Sequence, residues 1–202
     1  MEGSVWDATL DGFYAALASS KPLPAGVAAS TVSARLGIAL LMKVLQVSKP
    51  TDLTERLDAA RRESENLKSA ADDDIAAFRR YMECARNPQA SPEQLQLAWR
   101  EAVDVPILGA RAAAAGLDLC AQAAAAVRSS VAADLTAAAT LLAASVRAML
   151  VCVDSNLTQL TSRDPHREVA VAERRDLEER VQRQLEIVLS LGASRLEDLG
   201  EE

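Results

Sequence analysis

The chain has 202 residues, enough for one domain and too few for two large ones. Half of its residues are hydrophobic but only 3% are aromatic, so the interior has to be filled by Ala, Leu and Val rather than by rings. A net charge of −7 argues against a nucleic-acid groove or an anionic membrane surface as partner, and fits a weakly acidic cytoplasmic protein.

Apolar residues recur every three or four positions along nearly the whole chain, which predicts an all-α bundle of long alanine-rich helices with no strand. The first helix is expected from Asp7 to Ala18, with Leu10, Phe13, Tyr14 and Leu17 on one face, stopped by Pro22 and Pro24. A second begins near Ala25 and runs to the SKP break at 48–50. It is apolar nearly all round and therefore central. From Asp52 to Cys84 an amphipathic outer helix carries Leu53, Leu57, Ala60, Leu67, Ala71, Ile75 and Phe78. Ser91, Pro92 and Gln94 supply an N-cap, a first-turn proline and a capping-box partner for a fourth helix, which Pro106 is expected to kink. A fifth runs from about Val131 to Leu160. After the turn SRDPHR an amphipathic helix over about 167–191 presents Leu177, Val181, Leu185 and Val188 to the body or to a second subunit.

The N-terminus carries acidic residues where an export signal needs basic ones, and Lys43, Arg111, Asp118, Asp134 and Arg147 interrupt the apolar runs short of the ~20 residues of a membrane span. No membrane segment is expected. Cys84, Cys120 and Cys152 are too far apart for a disulfide framework or a zinc knuckle and are read as buried thiols. His166 is the single histidine, so neither a two-histidine metal site nor a Ser-His-Asp triad can form within one chain. More informative are Asp104, Asp134, Asp154 and Asn156 within apolar helices, because a buried charge needs a reason; capping or solvent exposure is the plain alternative. Asp72, Asp73 and Asp74 read as a solvated charge run.

Four stretches carry a family likeness. PLPAGVAASTVSARLGIALL, DIAAFRRYM, EAVDVPILGA and ADLTAAATLLAASVRAMLVCVDSNL occur in order over roughly residues 10–160. They resemble the methenyltetrahydrofolate cyclohydrolases and the cyclodeaminase domain of formiminotransferase-cyclodeaminase. Pro22, Pro24, Gly26, Leu36 and Gly37 hold the register of the first motif, Asp74 and Phe78 of the second, Pro106 of the third, and Asp134, Arg147, Asn156 and Leu157 of the last.

The resemblance implies an all-helical, cyclodeaminase-like single domain over 1–202, with its core over about 7–160. It also implies a cytoplasmic homodimer with a folate cleft near the subunit interface, and neither metal nor separate cofactor. The implied chemistry is hydrolysis of the methenyl bridge of tetrahydrofolate or expulsion of ammonia from its formimino form. Asp134 and Asp74 fall on catalytic positions, and Pro24, Ala25, Gly26, Val27, Arg128, Ser130 and Asn156 on substrate-binding ones. A carboxylate at Asp134 or Asp74 can stabilise the cationic methenyl carbon and take a proton from water, while Asn156 orients the substrate.

The departures fall in the same places. Ala25, Val27 and Ala28 replace two glycines and a serine; Lys49 alone stands for a lysine-rich stretch. Arg128 and Ser130 replace an asparagine pair, Ala133 a serine and Cys152 an asparagine. They leave open a repurposed pocket for another folate-like ligand, or a non-catalytic helical dimerisation module.

Overall fold

A computed structural model describes residues 3–198. It contains six α-helices: α1 (Leu10–Leu17), α2 (Gly26–Ser48), α3 (Leu53–Arg86), α4 (Pro92–Ala124), α5 (Ala132–Leu157) and α6 (Pro165–Asp198). Short 3₁₀ turns at Val5–Asp7 and Ser129–Val131 precede α1 and α5, and no strand occurs among the described residues.

Residue pairs across the interfaces give the helix directions. Gly26 at the start of α2 lies against Cys152 near the end of α5, and the Arg128 backbone N–H, just before α5, donates to Ser48 Oγ at the end of α2. These two helices are therefore antiparallel. Gly109 faces Met149 and Gly116 faces Leu142, so α4 also runs against α5; Arg80 pairs with Glu101, so it runs against α3 too. The C-terminal helix lies along α4 and α5 of the same chain, burying Ala170, Leu177, Val181 and Val188. Arg111–Glu173, Arg180–Asp118, Arg174–Asp154 and Arg147–Glu178 pairs flank that seam. Each is partly solvated and contributes about 0–1 kcal/mol, so the apolar seam holds the helix in place.

The core lies where α2, α4 and α5 cross, and small residues set their separation. A Cβ at Gly37 of α2 would stand 3.0 Å from Leu142 Cγ and 3.1 Å from the Ala138 carbonyl oxygen of α5. Ala110, Ala112, Ala113 and Ala114 continue the narrow face along α4. By length and composition alone α2 and the segment Ser129–Leu157 are apolar enough to cross a membrane, with mean hydropathies of 1.5 and 1.8. The few charges that interrupt these helices do not lower the average below that mark, a mark that buried core helices also reach. In this fold half of each apolar window is buried in the bundle.

Two expectations change. The first helix is shorter and buries none of its residues, with Leu10 and Tyr14 78% and 74% exposed; Val5, in the preceding turn, enters the core instead. Asp72, read as part of a solvated run, holds that turn, accepting from Ser4 Oγ at 2.7 Å and from the Val5 N–H at 3.0 Å. As expected, Pro106 does not end α4, which is helical on both sides of it. Proline lacks the N–H that would bond the Ala102 carbonyl four residues back, and Asn156 Nδ2 of α5 donates to that oxygen at 2.6 Å instead.

Gly37→Val is expected to lower unfolding free energy by about 2–3 kcal/mol despite the better helix propensity of valine, because backbone on the facing helix cannot yield to the side chain. Urea denaturation measures the change, and an unaltered midpoint would mean that the crossing has slack.

Candidate active site

The end of the bundle where α2 starts and α5 finishes encloses a chamber of about 190 Å³. The loop before α2 supplies Pro22, Leu23, Ala25, Gly26 and Val27, α3 supplies Asp74, Ala77 and Phe78, α4 supplies Trp99 and Ala102, and α5 supplies Cys152 and Asn156. Pro24 is buried within the same loop, and the Leu23–Pro24 peptide is cis.

The first turn of α2 opens here without a side-chain cap, because the N-cap residue is Ala25. Its leading N–H groups therefore lack the side-chain acceptor that Ser or Asp would give. Gly26 permits close packing against α5: a Cβ there would lie 3.1 Å from Cys152 Sγ. Asn156 donates its amide to Ala102, which fixes the ring of contacts between α4 and α5 and turns the other end of the amide, an acceptor, away from that bond.

Asp74 is the carboxyl of this chamber. Among the described residues it has neither an ion pair nor a hydrogen bond, and burial raises its pKa from 3.8 to about 6. Its neighbours Asp72 and Asp73 differ in kind: Asp72 latches the N-terminal turn and Asp73 is exposed. The run was expected to be one wet face, but helical rotation of 100° per residue sends three adjacent carboxylates in three directions. Burial also raises the Cys152 thiol above its ordinary value, and the charge of Asp74 adds to this, so the thiol stays protonated at neutral pH.

The remaining site candidates lie elsewhere in the chain. Asp134 is in the first turn of α5, 22 residues from Asn156 and thus about 33 Å along the helix axis. There it accepts from Lys43 Nζ at 2.7 Å. Arg128 and Ser130 precede that same end, and Lys49 caps the far end of α2. One copy of the chain therefore gathers Pro24, Ala25, Gly26, Val27, Asp74 and Asn156, and leaves Asp134, Arg128 and Ser130 at the opposite pole. His166 pairs with Asp104 at 2.8 Å across α6 and α4, and Arg100 donates to the buried Asp164, holding its carboxyl below the usual range. Trp99 and Ala102 were not singled out from sequence; the capping box at Ser91 fixes where α4 starts but gives no sign of which of its faces meets the chamber.

Asp74 makes stability depend on pH. Between about pH 4 and pH 7 the folded chain holds a proton that the unfolded chain has released, so this residue's contribution declines as pH rises through about 6. Asp74→Asn removes that term. The stability of the variant relative to the natural chain should rise by about 2–3 kcal/mol between about pH 4 and pH 8, read from urea midpoints. A pH-independent difference would place the carboxyl in water.

The sequence model of the formiminotransferase-cyclodeaminase family matches residues 9–175. The fold is similar to the crystal structure of formiminotetrahydrofolate cyclodeaminase from Thermotoga maritima, with a TM-score of 0.89 at 22% identity over 96% of this chain and 100% of that one. No curated protein sequence matches. With the family match covering the first five helices and the start of the sixth, the chain belongs to the formiminotransferase-cyclodeaminase family.

Proposed function

We propose that this chain is a folate-dependent one-carbon enzyme that closes 5-formiminotetrahydrofolate to the 5,10-methenyl form with loss of ammonia, using Asp74 as its proton carrier. The observation that carries the reading is a lone carboxyl in an apolar chamber with a pKa of about 6. Such a group both accepts and donates protons readily near neutral pH.

In the proposed reaction N10 attacks the protonated formimino carbon, and Asp74 takes the N10 proton as the N10–C bond forms. The same carboxyl then gives that proton to the former imino nitrogen, which leaves as ammonia when its C–N bond breaks. The product is the methenyl cation beside an ionised Asp74, so charge and atoms balance without a second acid. Cys152 stays neutral, and Asn156, its amide committed to Ala102, offers its oxygen to a donor on the ligand. In hydrolysis of the methenyl bridge water adds to the methenyl carbon as Asp74 takes one of its protons, the carboxyl returns that proton to N5 as the N5–C bond breaks, and the remaining hydroxyl proton passes to bulk water as the formyl C=O forms, so the two activities are separated by which substrate is consumed and which nitrogen leaves. The family match and the fold of the Thermotoga enzyme support a folate ligand, and the altered loop at Ala25–Ala28 bears on rate.

Following formation or loss of methenyltetrahydrofolate by absorbance, Asp74→Asn is expected to reduce kcat by about 10²–10⁴-fold. Asp134→Asn should remain within about twofold, because Asp134 lies at the other pole of the chain. Loss of turnover on changing Asp134 would demand a site shared between two copies, and no turnover of either folate by the natural chain would overturn the reading.

A cytoplasmic homodimer belongs to the same proposal. Besides Leu10 and Tyr14 of α1, Leu36 of α2 is 55% exposed, and these residues leave an apolar flank for a second copy to cover. Light scattering should report a dimer for the natural chain and a monomer for Leu10→Glu/Leu36→Glu; a natural chain that is already monomeric refutes this part.

A further inference from the structure

The chain has two phenylalanines, two tyrosines and two tryptophans, and one of each gathers at the chamber. Phe78 of α3 and Trp99 of α4 line it, and Tyr81 lies with its ring centroid 5.9 Å from that of Phe78 and 4.1 Å from that of Trp99. The indole also packs against the cluster of Val103, Ile107, Val153 and Leu157, so its place in the wall is fixed from several sides. In a molecule whose interior is otherwise built of Ala, Leu and Val, small side chains would have closed this end of the bundle as they close its middle.

Little else in the wall can meet a positive charge. Among the residues that line the chamber Asp74 is the single charged side chain, and the Cys152 thiol stays protonated. In the reaction proposed above the carboxyl holds the N10 proton for part of the cycle. While it does so it is neutral and cannot balance the charge that builds on the carbon as ammonia starts to leave. An aromatic ring can, because its electron-rich face attracts a cation without taking a proton from it, and the attraction grows when water is kept away.

We propose that Trp99 is a further catalytic group of this site, its indole ring, together with the ring of Phe78, stabilising the planar amidinium cation that forms in the chamber. The inference rests on the reaction proposed above. Proton and charge are then handled by different groups: Asp74 moves the proton and the rings hold the charge. Trp99 carries the larger share, since indole attracts cations more strongly than phenyl. A chamber built this way selects a delocalised cation over a neutral molecule of the same shape.

The test uses benzamidinium, a planar delocalised cation, and benzamide, its neutral counterpart of the same shape, titrated into the full chain by calorimetry. The natural chain should favour the cation, and Trp99→Leu should lower that preference about tenfold, with part of it restored in Trp99→Phe. Tryptophans carrying one, two and three fluorines, placed at position 99, keep the shape of the ring while draining its electron density. Along that series the preference should fall stepwise, and kcat for methenyltetrahydrofolate formation with it, while benzamide affinity holds. Asp74→Asn should weaken the preference and leave its dependence on fluorine in place. A preference indifferent to fluorine, one that survives Trp99→Leu, or no binding of benzamidinium would overturn the proposal. A chain that turns over no folate yet shows the fluorine-dependent preference sinks the folate reading alone, and one that turns over folate without that dependence sinks the role of Trp99 alone.

Discussion

Close crossing of α2, α4 and α5 constrains everything else in the molecule. With 3% aromatic residues the core cannot be filled by large rings, so stability has to come from many short side chains at small axis separations. Gly37 against Leu142 and the Ala138 carbonyl, and Gly109 against Met149, are the places where that separation leaves no room for a methyl group. A bundle closed this tightly is stiff in its middle. Space is then left outside the crossing, in grooves along the flanks and at the ends of the bundle, and the chamber lies at such an end.

At that end the backbone arrangement and the chemistry are linked through Pro106. A proline inside a helix leaves a carbonyl without its usual donor, and a buried unpaired carbonyl costs about 1–3 kcal/mol. Asn156 meets that need from the neighbouring helix, so one polar side chain ties α4 to α5 beside Asp74. The result is a largely apolar enclosure around a carboxyl. Hydration of that chamber would return Asp74 to an ordinary carboxylate.

Much of this was legible in the chain. The helical periods, the capping box at Ser91 and the prolines at 22 and 24 located the helices of the core to within a few residues, and the seam Leu177, Val181, Val188 was legible as the apolar face of α6, but not whether it would meet the body or a second subunit. Period alone misjudged α1, whose apolar face is real but has nothing from its own chain over it. The continuation of α4 through Pro106 was legible, but not the donor 50 residues away in sequence that serves the carbonyl the proline leaves open. The three aspartates at 72–74 looked alike because composition carries no rotation; on α3 they become a latch, an exposed charge and a buried acid. Asp134 and Asp74 were matched to one motif set in one dimension, and no spacing rule conveys that α5 is long enough to carry its first turn and its last asparagine to opposite poles.

That separation decides which carboxyl is suited to chemistry in a single copy. Asp134 is partly exposed and paired with Lys43 at 2.7 Å. Asp74 has no such partner, and its chamber makes ionisation costly in the free chain. A cationic ligand reverses that cost: with a positive carbon beside it the carboxylate becomes the favoured form, and ligand binding and proton release are then one thermodynamic event. A site arranged this way binds a cation more tightly as pH rises through about 6, whereas a neutral ligand of the same shape lacks that dependence. The cysteine at 152 in place of an asparagine fits the same logic, since an added side-chain dipole near Asp74 would stabilise its anion beforehand and weaken the response to the ligand's own charge.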